Sequence, residues 1–151
     1  MSSCCQGHEA LPLKSTGGAP KNENGTVLHV DLELHEIQEW SSEGVRMQEL
    51  LRRDDPARRT HIAHFDAGSV LGRHVASLWQ LFAVMSGSGW VAGEDRVRYS
   101  CVAGDTFIWS SGESHESGSD LGMTVVIVQS DSKLGGTDPK ASAASRHQSR
   151  A

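Results

Sequence analysis

Proline is scarce, four residues in 151, and no apolar run approaches the length that crosses a bilayer as a helix. Cysteine is scarce too. There are three: Cys4 and Cys5 stand side by side in a polar N-terminal stretch, and Cys101 falls inside a predicted strand. An odd count with no Cys-x-x-Cys spacing excludes a disulfide framework and a cysteine zinc site. Three free thiols in a reducing compartment are expected. The N-terminus lacks the basic region and apolar run of a secretory signal, so the expected location is cytoplasmic. Excess positive charge is also missing: 14 Lys and Arg stand against 19 Asp and Glu, a formal net charge of -5. Such a chain has no electrostatic reason to seek nucleic acid or an anionic membrane.

Glycine and histidine are plentiful, with 16 and eight residues. Many glycines with few prolines suit a chain of short strands and tight turns. Residues 1–25 and 131–151 are polar, small and without hydrophobic period. They read as disordered tails around a single domain over residues 26–130, and His147 reads as solvated.

Within that domain, short alternating segments are separated by turn signals. Strands are expected at Thr26–Glu33 and Arg59–Phe65, the latter ending at Asp66-Ala67-Gly68; Gly44–Leu51 reads as strand or helix, its alternation of Val45, Met47 and Glu49 favouring strand. Further strands are expected at Leu78–Met85, Trp90–Ala92, Arg96–Val102, Asp105–Trp109 and Met123–Gln129. Ser86–Gly89 and Gly93–Asp95 read as turns, and Glu33–Trp40 as one helical turn. Closely spaced strands with almost no helix predict an all-β sandwich or closed barrel.

Two blocks carry the chemistry. The first is GSVLGRHVASLWQLFAVMSG, with Gly68, His74, Gln80 and Gly87. The second is GDTFIWSSGESHESGS, with Gly104, Gly112 and His115. Their order and spacing resemble the two motifs of the cupin superfamily. The resemblance implies a jelly-roll barrel, the double-stranded β-helix, with a pocket that holds a divalent metal. It also implies departures: Ala76 stands at the second histidine of the first motif, Gln80 at the glutamate, Ser110 at the proline and Ser119 at the asparagine. Two of four family ligands remain.

The alternation agrees with this. If the strand runs through the first motif, His74, Ala76, Leu78, Gln80, Phe82 and Val84 share one face. That face is apolar except at His74 and Gln80, whose buried polar groups need partners. His115 arrives after the turn at Gly112. The candidate metal ligands are therefore His74, Gln80 and His115, and the candidate ligand pocket adds Phe82 and Glu113. Zn, Ni, Mn or Fe are ions such donors accept, although the set brings no negative charge. His74 and His115 read equally as hydrogen-bonding pocket groups without metal, and Gln80 as a group that orients a ligand.

The remaining histidines, His29, His35 and His61, read as structural or surface residues, and His61 and His64 should face opposite sides of a strand. Trp90 and Trp109 read as core residues, one of them a candidate for the pocket mouth. The pairs Arg52-Arg53 and Arg58-Arg59 read as a solvated rim. A second apolar face, with Val75, Trp79, Leu81, Ala83 and Met85, asks for cover and predicts a homodimer. Three functions follow from these residues: a small-molecule-binding barrel with a weak or modified metal site and metal-assisted chemistry, a sensing or storage barrel without metal, or an oligomerising barrel. The residues name neither substrate nor catalytic group.

Overall fold

The computed structural model of the chain describes residues 31–51 and 57–135. Every element belongs to the compact unit that starts at Leu32. In chain order they are β1 (His35–Glu36), a 3-10 turn (Glu39–Ser41), β2 (Glu43–Leu51), β3 (Arg58–Val75), β4 (Trp79–Ala92), β5 (Arg98–Val102), β6 (Thr106–Trp109), β7 (Ser114–Ser119) and β8 (Met123–Ser130). Among the described residues there is no α-helix. The sheet is antiparallel and closes on itself: β3 pairs with both β7 and β8, and each of these pairs with β4. This is the expected jelly-roll barrel, and closure leaves few open edges.

Two long strands make the closure possible. The first half of β3, Arg58–Phe65, pairs with β8, and the second half, Ser69–Val75, pairs with β7. In β4, Trp79–Gly87 pairs with β8 and Trp90–Ala92 with β7. Each strand thus passes from one sheet to the other. The Asp66–Gly68 and Ser86–Gly89 segments, expected to be turns, are the bends inside these strands. Gly87 shows why the bend needs glycine. Its φ is +77°, and a Cβ there would lie 2.2 Å from the Gly122 carbonyl oxygen.

Other expectations shift. The strand expected at Thr26–Glu33 does not appear over residues 31–33; residues 26–30, with His29, lie outside the described residues. Pairing with β2 begins only at His35, opposite Met47. The helical turn expected within Glu33–Trp40 shrinks to the 3-10 turn at Glu39–Ser41. Of the two expected tails, residues 131–135 are described, without strand or helix, and the Asp131 N–H donates to the Ala57 carbonyl at 2.9 Å. Residues 1–25 and 136–151, with Cys4, Cys5 and His147, and the pair Arg52-Arg53 lie outside the described residues. β7 was not expected at all: SHESGS has no apolar residue and none of the usual strand formers.

The interior follows simple alternation. Met123, Val125 and Ile127 of β8 point inward, as do Phe82 and Val84 of β4 and Ala63 and Phe65 of β3. At one end this apolar column gives way to polar side chains: Gln129 sits opposite Gln80, which sits opposite Trp109. The outer face of β4 is not fully covered, with Met85 61% exposed, and Val75 near the end of β3 is 58% exposed.

Candidate functional site

His74 is the penultimate residue of β3 and His115 the second of β7, and the two are direct cross-strand partners. Their ring centroids are 4.3 Å apart. Between β3 and β4, Ala76–Leu78 forms a turn, yet the inward parity survives it: Ala76, Gln80, Phe82 and Val84 are buried. Ala76 takes no side-chain role. Its N–H donates to the Glu113 carbonyl at 2.9 Å and its carbonyl accepts from Gly112 at 2.7 Å, so it fastens the turn that delivers His115.

Backbone carbonyls set both imidazoles. Nδ1 of His74 lies 2.7 Å from the Gly72 carbonyl oxygen, and Nδ1 of His115 lies 3.4 Å from the Glu113 carbonyl oxygen. A carbonyl only accepts, so in each neutral ring the proton sits on Nδ1 and the lone pair on Nε2. Both rings are neutral at physiological pH. Burial holds His74 below its ordinary value, and burial together with the neighbouring His74 pushes His115 down to about 4.

The expected site residues His74, Gln80 and His115 come together. Gln80 Nε2 is 3.1 Å from His115 Nε2, and Gln129 Nε2 donates to Gln80 Oε1 at 3.0 Å. Phe82 forms the floor, edge-on to Trp109 at 5.5 Å and to Phe65 at 6.1 Å. Glu113 contributes its backbone. Its carboxylate accepts from the Ser110 N–H at 2.9 Å, while its carbonyl faces His115.

Three groups of the site, Trp40, Gln129 and His61, carried no such expectation, and Trp109 was a candidate only for the pocket mouth. Trp109 stacks on His115 with centroids 4.4 Å apart, and Trp40 stacks on His74 at 4.2 Å. The result is a run of four rings, Trp40, His74, His115 and Trp109. Gln129 and His61 extend the polar line: a hydrogen bond with the Gln129 side chain favours the protonated form of His61, although burial is the larger effect and lowers its pKa. Both were discoverable. His61 shares the parity of Ala63 and Phe65, and Gln129 shares that of Val125 and Ile127. Each is thus a polar residue on an inward face. Trp40 had no signal, because it reaches the site from the 3-10 turn. His64 keeps apart, 3.1 Å from Gln48 Oε1 through its Nε2. It lines an open trough of about 300 Å³ on the outside of the barrel, with Arg46, Asp66 and Thr124. The trough is distant in register from the histidine pair, and its charges are already paired, Arg46 with Asp66 at 2.7 Å.

As a divalent-ion site the donor set does not fit in this arrangement. The tautomers suit a metal, since each Nε2 bears a lone pair. But the His115 lone pair already accepts from Gln80, and His74, Gln80 and His115 include no anionic donor. Among the described residues no group of three His, Cys, Asp or Glu side chains is placed to hold a metal.

The chain matches no known protein-family profile, and no curated protein matches it. Solved structures do. An RmlC-like cupin from Shewanella frigidimarina superposes with a TM-score of 0.59 at 20% identity, covering 74% of this chain and 94% of that one. The chain has the cupin fold. The same barrel is similar to the polyketide cyclase RemF of Streptomyces resistomycificus (TM-score 0.60, 13% identity, 73% and 83% covered). It is also similar to a predicted oxalate decarboxylase of Thermotoga maritima (TM-score 0.57, 20% identity, 66% and 91% covered). Cupin barrels with such different names show that the fold does not select a reaction. No helix among the described residues is long and apolar enough to cross a membrane.

Proposed function

We propose that this cupin barrel binds a small, uncharged organic molecule at its polar end, with His74, His115 and Gln80 acting as neutral hydrogen-bonding groups. The observation that carries this reading is the 3.1 Å contact between Gln80 Nε2 and His115 Nε2. It commits the His115 lone pair to an amide and leaves His74 Nε2 as the acceptor for an incoming group. A ligand that brings a hydroxyl or N–H donor suits it. A carboxylate does not, because two neutral imidazoles offer an anion no charge. Trp40, half exposed over His74, supplies a flat apolar wall.

A second reading, the weak or modified divalent-metal site with Zn, Ni, Mn or Fe, is favoured by one observation: both Nδ1 atoms are turned onto carbonyls. One experiment separates the two. Elemental analysis is made on protein purified without an affinity tag. Wild type and Gln80→Glu are then titrated with the four ions while thermal stability is followed, and wild type is screened against neutral hydroxylated metabolites and carboxylates. The expected result is a wild type that ignores the ions, a Gln80→Glu variant that responds to them, and stabilisation by neutral donors. The variant responds because a carboxylate offsets part of the dication's charge, which an amide cannot do. Metal in the wild type, with stabilisation on titration, would replace the first reading by the second.

A homodimer belongs to the same proposal. It would cover the exposed Val75 and Met85, and sedimentation at micromolar concentration tests it.

A further inference from the structure

The hydrogen bonds behind the histidine pair have a direction, and one end fixes it. The Glu113 carbonyl can only accept, so His115 carries its proton on Nδ1 and its Nε2 must accept. The group 3.1 Å from Nε2 is then the Gln80 amide N–H, which turns the Gln80 oxygen away from His115. That oxygen needs a donor, and Gln129 supplies it at 3.0 Å. The Gln129 side chain also bonds to His61, a contact that favours the protonated form of that ring. Each amide passes the same polarity on, so the amide orientations follow from the chain of partners.

We propose that Gln129 is a positioning residue of the site: by donating to Gln80 Oε1 it holds the Gln80 N–H against His115 and so sets which His115 nitrogen carries the proton. Its bearing on a ligand rests on the function proposed above, whereas the positioning itself does not. Without the Gln129 N–H, only the His115 Nε2 lone pair, held there by the 3.4 Å contact of Nδ1 with the Glu113 carbonyl, opposes the Gln80 oxygen. A rotation of that amide by half a turn would place the oxygen on His115 and require the proton to move to Nε2. Among the described hydrogen bonds Gln129 reaches His115 only through Gln80.

The test uses the full chain, labelled with 15N, without ligand, at pH 8. Long-range proton–nitrogen spectra of the histidine rings report which nitrogen of His115 is protonated. In wild type, Nδ1 should show the pyrrole-like shift and Nε2 the pyridine-like shift. In Gln129→Glu the new carboxylate can only accept, so Gln80 must donate to it and the two shifts of His115 should exchange. In Gln129→Leu the Gln80 amide is released and both tautomers should appear. A purely structural role for Gln129 would lower stability and leave the tautomer alone. A wild-type His115 protonated at Nε2, or an unchanged ring pattern in either folded variant, overturns the proposal. Because no ligand is present, a failed metabolite screen would count against the binding reading and leave this result standing.

Discussion

Trp40 lies nearly parallel to His74, with ring centroids 4.2 Å apart and 16° between the planes, and it reaches that position from a left-handed backbone with φ 58°. A bulky residue there is strained, so the surrounding structure must hold it. Gly72 does so by omission. A Cβ at Gly72 would sit 1.7 Å from the Trp40 carbonyl oxygen, and the Gly72 N–H donates to Ser42 Oγ at 3.0 Å. Gly72→Ala should therefore push the turn off β3, costing roughly 1–3 kcal/mol. It should also expose His74, whose pKa then returns toward its ordinary value because burial is what lowers it. Ring-proton shifts of His74 against pH, beside a urea unfolding curve, check both effects.

Phe82 supports the other end of the ring stack. It is fully buried and meets Trp109 edge-on, and Trp109 in turn stacks on His115. Phe82→Ala should cost about 3–5 kcal/mol if the barrel cannot collapse onto the gap. It should also loosen Trp109, seen as a change in tryptophan fluorescence. A loss below about 1 kcal/mol would mean that the interior repacks freely.

The fold was legible because its inward faces obey a period of two. Phe82, Val84, Val125 and Ile127 announce themselves as apolar residues at alternate positions, and the bends at Gly68 and Gly87 fall where glycines stand. What the sequence hid has physical causes. β7 is built of Ser, His, Glu and Gly, so pattern could not mark it; it is a strand because β3 and β4 pair with it on both sides. The bends were read as turns because glycine signals both, and only tertiary pairing distinguishes them. His74, Gln80 and His115 were found by spacing. Gln129 and His61 lie outside the two motif blocks, and only their parity with inward apolar neighbours marks them. Trp40 depends on a left-handed turn that no local pattern encodes.

Cys101 should be inert. It is buried on β5, and burial pushes its thiol up to about 11. The thiolate is the reactive form, so at pH 8 its population should be about 100-fold lower than for an ordinary thiol of pKa near 9. Alkylation followed peptide by peptide in the mass spectrometer should show Cys101 modified about 100-fold more slowly in the folded chain than in urea. Equal rates would mean that β5 opens readily.

His115 makes stability depend on pH, and the sign follows from its neighbours. The ring is 1% exposed and its pKa falls from 6.5 in an open chain to about 4 in the folded protein. Between those values the unfolded chain binds a proton that the folded chain refuses, so stability rises with pH across this window and is lost as pH falls through it. The contribution is fully present above pH 6.5 and gone below about 4. At full extent it is about 3 kcal/mol, the order set by the size of the shift. His74 acts in the same direction, since its pKa is also lowered. His115→Phe removes the titrating group and keeps a ring against Trp109. That variant should show a flatter dependence of the urea midpoint between pH 7 and pH 4, by about 3 kcal/mol at the acid end. It should also leave the Gln80 N–H without its acceptor, so its stability at pH 7 should be lower than wild type by about 1–3 kcal/mol. Parallel curves for the two proteins would show that His115 is not the group that burial keeps neutral.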